Sequence, residues 1–188
     1  MVSPLRKNKA LSEVVTTLIL LVVAVLLAAV VTYYATNITM TRTELEEVRF
    51  SKEHVWVNST GAIAGFKLQN LGGRDVLLDK ITVRGVESAW ANVFIYRVPA
   101  GSAFSDDMTV CDYTAMTADF NHTINATEYL FEQQSGDVPI PSSGVVLVYI
   151  VDPDNIQLDD LGTTVSLSVF SVNTQYITEC NVESATTQ

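Results

Sequence analysis

The chain has 188 residues, which is enough for one domain with an appended segment. Hydrophobic residues make up 48% of it and charged residues only 17%, and the formal net charge at pH 7 is −10. So acidic a chain repels nucleic acid phosphates and anionic lipid, and a nucleic-acid partner is therefore disfavoured.

One apolar run dominates the N-terminal part of the chain. Val14 to Val31 are 18 consecutive residues without a charge, and the next charge is Arg42. As a helix this run is about 27 Å long, close to the ~30 Å hydrocarbon core of a bilayer. Arg6, Lys7 and Lys9 precede it, so the positive-inside tendency predicts a cytoplasmic N-terminus and export of everything after about residue 35.

Three interpretations of this segment are open. The first is a secretory signal cleaved after the run, where Ala28 and Ala29 imitate a cleavage site, although the run is longer than such signals usually are. The second is a permanent membrane anchor, for which Tyr33 and Tyr34 are suitable interfacial residues. The third is a helix that is kept after cleavage in front of it.

The third interpretation comes from a resemblance. The residues Lys9-Ala10-Leu11-Ser12, directly before the run, resemble the class III signal peptide of archaeal pilins and archaellins in the type IV pilin superfamily. The resemblance implies that a prepilin peptidase cuts between Ala10 and Leu11. It also implies a signal peptide of residues 1–10, an assembly helix and linker of residues 11–47, and a head of residues 48–188.

The helix is expected to be buried on all sides. Between Glu13 and Thr32 its only polar residues are Thr16 and Thr17, and a helix that is apolar all round must be covered by lipid or by other helices. The resemblance implies that other copies of this chain cover the helix in a filament and that the membrane covers it before assembly. It also implies two further partners, the prepilin peptidase and the pilus assembly platform. The residues expected on the assembly helix are Leu11, Glu13, Val14, Leu18, Leu21, Val25 and Ala28.

Glu13 has two interpretations. By resemblance, an acid near the new N-terminus pairs with the terminal ammonium of a neighbouring subunit. From the residues alone, Glu13 is an acid in the first helical turn, favoured by the helix dipole and by a cap at Ser12.

Beyond the helix the pattern changes to short runs rich in Val, Ile, Tyr, Phe and Thr, separated by Gly, Pro, Asn, Asp and Ser. Residues 164–171 alternate cleanly, with Val165, Leu167 and Val169 on one face. The predicted fold class is α+β: a long N-terminal hydrophobic helix followed by an all-β, immunoglobulin-like sandwich head. The predicted strands are residues 49–57, 63–70, 76–83, 91–98, 128–132, 145–152, 164–171 and 176–180.

Two stretches of the head also resemble archaeal pilin and archaellin heads. FKLQNLGGRDVLLDKITVRG is similar to their strand–turn–strand hairpin, and LGTTVSLSVFSVNTQYITECNV is similar to their final hairpin.

Two covalent features are predicted in the exported part. Cys111 and Cys180 are the only cysteines, and an oxidising location predicts a disulfide between them. Four Asn residues match the N-x-[ST] acceptor for glycosylation: Asn37, Asn58, Asn121 and Asn125.

Enzymatic motifs are missing from the sequence. It has no G-x-S-x-G, P-loop or G-x-G-x-x-G, and His54 and His122 are isolated. The acids of residues 152–160 are expected to form a solvated turn and not a Ca²⁺ site. We therefore expect neither catalysis nor a cofactor.

The expected function is that of a structural subunit of an adhesive, extracellular archaeal type IV pilus-like filament. Two alternatives stay open: an archaellin of a rotating archaellum, and a monomeric membrane-anchored binding module. The start LSEVVTTLILL lacks the Gly usual in archaellins, which favours the pilus.

Overall fold

The computed structural model describes residues 4–185, and of residues 4–10 and 42 it describes only the backbone. Helix α1 spans Pro4–Glu44. It therefore begins before the predicted start at residue 11, because the basic segment continues the helix. The predicted signal-peptide residues Lys9 and Ala10 belong to this helix, but their side chains lie outside the described part, as do residues 1–3 entirely.

The threonine hydroxyls of helix α1 are satisfied within the helix. Its threonine hydroxyls donate to carbonyl oxygens one turn earlier, for example Thr16 Oγ1 to the Ser12 oxygen at 2.8 Å and Thr32 Oγ1 to the Ala28 oxygen at 2.8 Å. Thr36 and Thr39 do the same. These hydroxyls need no partner from water, so the helix can enter an apolar environment at little cost.

The chain divides into two compact units, and the second, from Glu44 onward, is the head. All eight predicted strand regions form strands, so the α+β class is confirmed. Three short strands, at Val86–Glu87, Phe120–Ile124 and Val138–Ile140, were not predicted. The strands are β1 Val48–Val57, β2 Ala62–Asn70, β3 Val76–Val83, β4 Val86–Glu87, β5 Val93–Val98, β6 Phe120–Ile124, β7 Thr127–Gln133, β8 Val138–Ile140, β9 Val145–Val151, β10 Thr164–Ser171 and β11 Gln175–Ser184; single 3₁₀ turns occupy Trp90–Asn92, Tyr113–Ala115 and Leu158–Asp160.

The strands form one hydrogen-bonded path in the order β4-β3-β10-β11-β1-β2-β9-β5-β7-β6, with β8 beside β3. Strands β1 and β11 pair in parallel, whereas β1 and β2 pair antiparallel. Residues from both halves of this path share one core, so the sheet folds over into two layers, as in a sandwich. Strands β10 and β11 form the expected final hairpin. The hairpin expected for β2 and β3 is wrong, because β2 pairs with β1 and β9 while β3 pairs with β10, β4 and β8.

Strand β9 separates two cores and is buried on both faces. Val146, Val148 and Ile150 lie in the first core, between the two layers. Leu147, Tyr149 and Val151 alternate with them and lie in a second core on the other face. The β6–β7 hairpin and a long segment between β5 and β6, residues 99–119, cover this second core and supply Phe104, Met108, Cys111, Met116, Phe120 and Phe131 to it.

Residues 45–47, at the end of the predicted helix-and-linker segment, are hydrogen-bonded to the head. The backbone N–H groups of Leu71 and Gly72 donate to the Glu47 oxygen at 2.7 and 3.2 Å, and that of Gly73 donates to the Leu45 oxygen at 3.2 Å. A Cβ at Gly72 would lie 2.4 Å from the Leu45 oxygen, so only glycine permits this approach. The Asn173 side chain also donates to Glu46 Oε1, at 2.7 Å. The head therefore begins directly after the helix.

Candidate assembly helix and candidate cleft in the head

The apolar part of the helix is uncovered within the chain. Residues Leu11–Thr41 form a helix of 31 residues that is long and apolar enough to cross a membrane, and none of its most apolar window is buried. Leu18 is 56% exposed, Leu21 62% and Val25 60%. By length and composition this helix could serve as a membrane anchor or as a signal sequence.

Six of the seven residues predicted on the assembly helix, all except Glu13, share one face, but that face is not distinctive. They are separated alternately by three and four positions, as in a helix–helix seam: Leu11, Val14, Leu18, Leu21, Val25 and Ala28. The rest of the surface is equally apolar, with Leu20, Val23 and Leu27 exposed as well. A single partner helix would leave apolar surface in water, so burial by several neighbours or by lipid is required.

The structure corrects one interpretation of Glu13. Because α1 starts at Pro4, its first turn contains no acid, and Ser12 lies inside the helix, where its carbonyl accepts from Thr16 Oγ1. The first-turn interpretation is thus wrong for the uncleaved chain. Pairing of Glu13 with a neighbouring N-terminus stays a prediction.

The predicted disulfide is wrong, because both cysteines are free. Cys111 lies in the second core, whereas Cys180 packs beside the first core, on the other side of the sheet. Burial raises the pKa of the Cys111 thiol to about 12. Burial, with Glu53 and Glu183 nearby, raises the pKa of Cys180 to about 11. Both thiols are therefore protonated and weakly reactive at neutral pH.

The four predicted glycosylation residues differ in their surroundings. Asn58 directly follows β1, and its Oδ1 accepts from the backbone N–H groups of Thr60 at 2.7 Å and Gly61 at 3.0 Å. Asn121 is exposed on β6, at one end of the strand order. Asn125 Nδ2 donates to Asp106 Oδ1 at 3.0 Å, and a glycan there would compete with this bond. Asn37 is exposed on the helix. Occupancy stays a prediction at all four.

The head contains a cleft of about 680 Å³ that the sequence did not indicate. Three segments form its walls: the end of β1 with β11, the segment of residues 108–112, and strand β6 with its turn. The lining residues are His54, Trp56, Met108, Thr109, Val110, Asp112, His122, Thr123, Asn125 and Glu183. The two histidines that are isolated in sequence thus line one cleft.

Hydrogen bonds hold both histidines in place. His54 lies between two acids, with Nε2 3.3 Å from Asp107 Oδ1 and Nδ1 3.3 Å from Glu183 Oε2. Its ring stacks on Trp56, at 5.1 Å between centroids and 9° between planes. A bulge in β1, where Lys52 has a φ of +59°, shifts the register just before His54.

His122 is held from the other wall. Its Nε2 lies 2.8 Å from Thr109 Oγ1, and its ring meets Tyr149 edge-on at 5.7 Å. Burial lowers the pKa of His122, so the imidazole is neutral at pH 7. Burial also raises the pKa of Tyr149, whose hydroxyl donates to the Thr109 oxygen at 2.6 Å.

The segment of residues 99–119, which includes one wall of the cleft, is anchored just before that wall. Lys52 Nζ donates to the Ser105 oxygen at 2.5 Å, and Lys67 Nζ donates to the Phe104 oxygen at 2.9 Å. Burial, together with the neighbouring Lys52, lowers the pKa of Lys67. Because buried side chains and polar anchors act together, this long segment behaves as an ordered wall.

The acids of residues 152–160 have a local role. Asp160 accepts from Arg84 Nη1 at 2.8 Å and, through its other oxygen, from the Gln157 backbone at 2.9 Å, which caps the turn. These two bonds lower the pKa of Asp160. Across the side chains that the structure describes, no group of three or more His, Cys, Asp or Glu is placed to hold a metal ion.

No family model matches the chain, and no curated protein matches it in sequence.

Proposed function

We propose that this chain is a pilin, the structural subunit of an extracellular, archaeal type IV pilus-like filament that serves in adhesion. One observation carries the proposal: a 31-residue helix is apolar on every face, and none of its most apolar window is buried within the chain. So large an apolar surface is stable only when lipid or other copies cover it. In the proposed cycle the membrane covers it first and neighbouring subunits cover it in the filament.

The length of the helix favours the filament over a simple anchor. After the proposed cut, Leu11–Glu44 of helix α1 remain, about 50 Å of helix, which exceeds the ~30 Å that a bilayer core requires. The part beyond Val31 keeps exposed Tyr33, Tyr34, Ile38 and Met40, and its threonine hydroxyls are satisfied internally. A surface of this kind is suited to packing against other helices outside the membrane.

The head is suited to the outside of such a filament. Its two cores contain only residues from Val48 onward, so it needs nothing from the helix to bury its apolar side chains. The acidic chain keeps the surface soluble. Its proposed partners are other copies of itself, the prepilin peptidase and the pilus assembly platform.

Filaments sheared from cells provide the test. Mass spectrometry of the purified filaments should find this chain as a main component, with its N-terminus at Leu11. Ala10→Val should block processing by adding bulk at the cut, whereas Ala29→Val, at the alternative cleavage site, should be processed normally.

Three results would contradict the proposal. A mature chain starting at Met1 and absent from filaments would make it an anchored module. A chain starting after Ala29 would make the helix a cleaved signal. If cells that lack the chain lose swimming but still attach to surfaces, the chain would be assigned to an archaellum.

A further inference from the structure

We propose that the cleft between His54, Asp112, His122 and Glu183 binds a neutral saccharide. Its volume of about 680 Å³ lies within the range of ~300–1,000 Å³ that is typical of small-molecule sites. Three segments distant in sequence contribute to it, so the cleft exists only in the folded head.

The polar groups of the cleft are positioned before any ligand arrives. His54 is fixed by Asp107 and Glu183, and His122 by Thr109. Asp112 Oδ1 accepts from the backbone N–H of Thr114 at 3.0 Å and from its hydroxyl at 2.8 Å. Groups held in this way lose little freedom on binding, which favours affinity.

The charges select the class of ligand. Among the side chains that the structure describes, the charged residues lining the cleft are two acids, Asp112 and Glu183, and none is Lys or Arg. Asp107 adds a third carboxylate at the edge, and His122 is neutral at pH 7 because burial lowers its pKa. A phosphate, sulfate or carboxylate ligand would meet repulsion with no cation to offset it.

The remaining chemistry matches a polyhydroxylated ligand. Carboxylate oxygens accept several hydrogen bonds each, so Asp112 and Glu183 have capacity left for ligand hydroxyls. Thr109, Thr123 and Asn125 both donate and accept, as sugar hydroxyls do. The half-buried Val110, with the small exposed parts of Trp56 (7%) and Met108 (3%), supplies a limited apolar contact for the C–H groups of a sugar ring. A mixed lining of this kind fits a sugar better than a purely apolar ligand.

The cleft lies well along the head from the point where the chain enters it. His54 is six residues beyond Val48 in β1, about 20 Å at ~3.3 Å per residue. The binding chemistry of the cleft does not rest on the proposed function.

The test uses the full chain, made without glycans and held in a zwitterionic detergent that has no sugar headgroup. The probes are the methyl glycosides of glucose, mannose, galactose and N-acetylglucosamine. Each is titrated into the protein, and binding is followed by NMR. At least one should bind, with a dissociation constant on the order of 1 mM for so small a ligand. Asp112→Asn keeps an oxygen for the Thr114 cap and should weaken binding about tenfold. Asp79→Asn removes the same charge from an exposed position on β3 and should leave binding unchanged.

A glycosylated preparation separates the two sources of saccharide. If the chain's own glycan occupies the cleft, free glycosides bind only after enzymatic deglycosylation; if the ligand comes from elsewhere, both preparations bind alike. Absence of binding by every glycoside would overturn the proposal. Equal glycoside affinities of the Asp112→Asn and Asp79→Asn variants would also overturn it. So would salt-sensitive binding of spermidine without binding of the glycosides. None of these measurements requires filaments, so the proposal and the filament function can fail independently.

Discussion

A charge in the middle of the apolar helix should abolish filaments without preventing synthesis of the chain. Val25 is 60% exposed within the chain, so Val25→Asp disturbs no contact of the isolated subunit. In a bundle of helices the carboxylate is buried without a partner, which costs several kcal/mol even after relaxation. Every subunit contacts its neighbours through this helix, so the same energetic cost recurs at each subunit of the filament. Assembly should therefore be abolished and not gradually weakened.

Membrane insertion should tolerate the same change. An Asp at the centre of a membrane helix costs about 2.5–3.5 kcal/mol, while each surrounding Leu or Val contributes about 0.3–0.6 kcal/mol. The apolar run from Val14 to Val31 is long enough to offset one such charge. The variant should therefore be found in the membrane fraction and be missing from the surface.

Val172→Asp is the matched control, since it introduces the same change at a residue 71% exposed on the β10–β11 turn. The assay combines immunoblots of membrane fractions with electron microscopy of cells carrying each variant. Protection of the Cys111 thiol, which is 2% exposed, reports that the head is folded. Normal filaments with Val25→Asp would refute burial of the helix in the filament core.

Three further predictions concern the head. Unfolded, unreduced protein should titrate with two thiols per chain, because Cys111 and Cys180 are free; a count of zero would restore the disulfide. Ala126→Gly should raise the free energy of unfolding by about 1 kcal/mol, because Ala126 has a φ of +65° in the β6–β7 turn, where glycine is less strained. The control Ala89→Gly, at a φ of −60°, should lower stability, and equal effects of the two changes would contradict this reasoning. His122→Gln should reduce the loss of thermal stability on acidification below pH ~6.5, since a lowered folded pKa means that the unfolded state binds the proton first; parallel pH profiles would contradict this sign.

The sequence predicted those helices and strands whose residue composition is compatible with only one type of secondary structure. An unbroken apolar run without Gly or Pro indicated the helix, but its extension to Pro4 depends on basic residues that are compatible with several conformations. Long runs of β-branched and aromatic residues indicated eight strands. Strand β6 was missed because only its ends, Phe120 and Ile124, face a core, and β8 was missed because Pro139 interrupts a short run.

The errors concern which residues meet in space. An even cysteine count predicted a bridge, yet it carries no information on which face of a sheet each residue occupies. Cys111 and Cys180 belong to different cores. The cleft was missed for the same reason: His54, His122 and Glu183 converge only through the bulge in β1, the ordered wall segment and the parallel pairing of β1 with β11.

The central claim is that copies of this chain bury their helices against one another. Electron cryomicroscopy of sheared filaments tests it most directly. The account predicts a core of packed helices traceable from Leu11 to about Thr41, with Val25 in contact with neighbouring subunits and the β-domains outside. Filaments whose core is built from the β-domains, or filaments that lack this chain while it stays in the membrane, would contradict it.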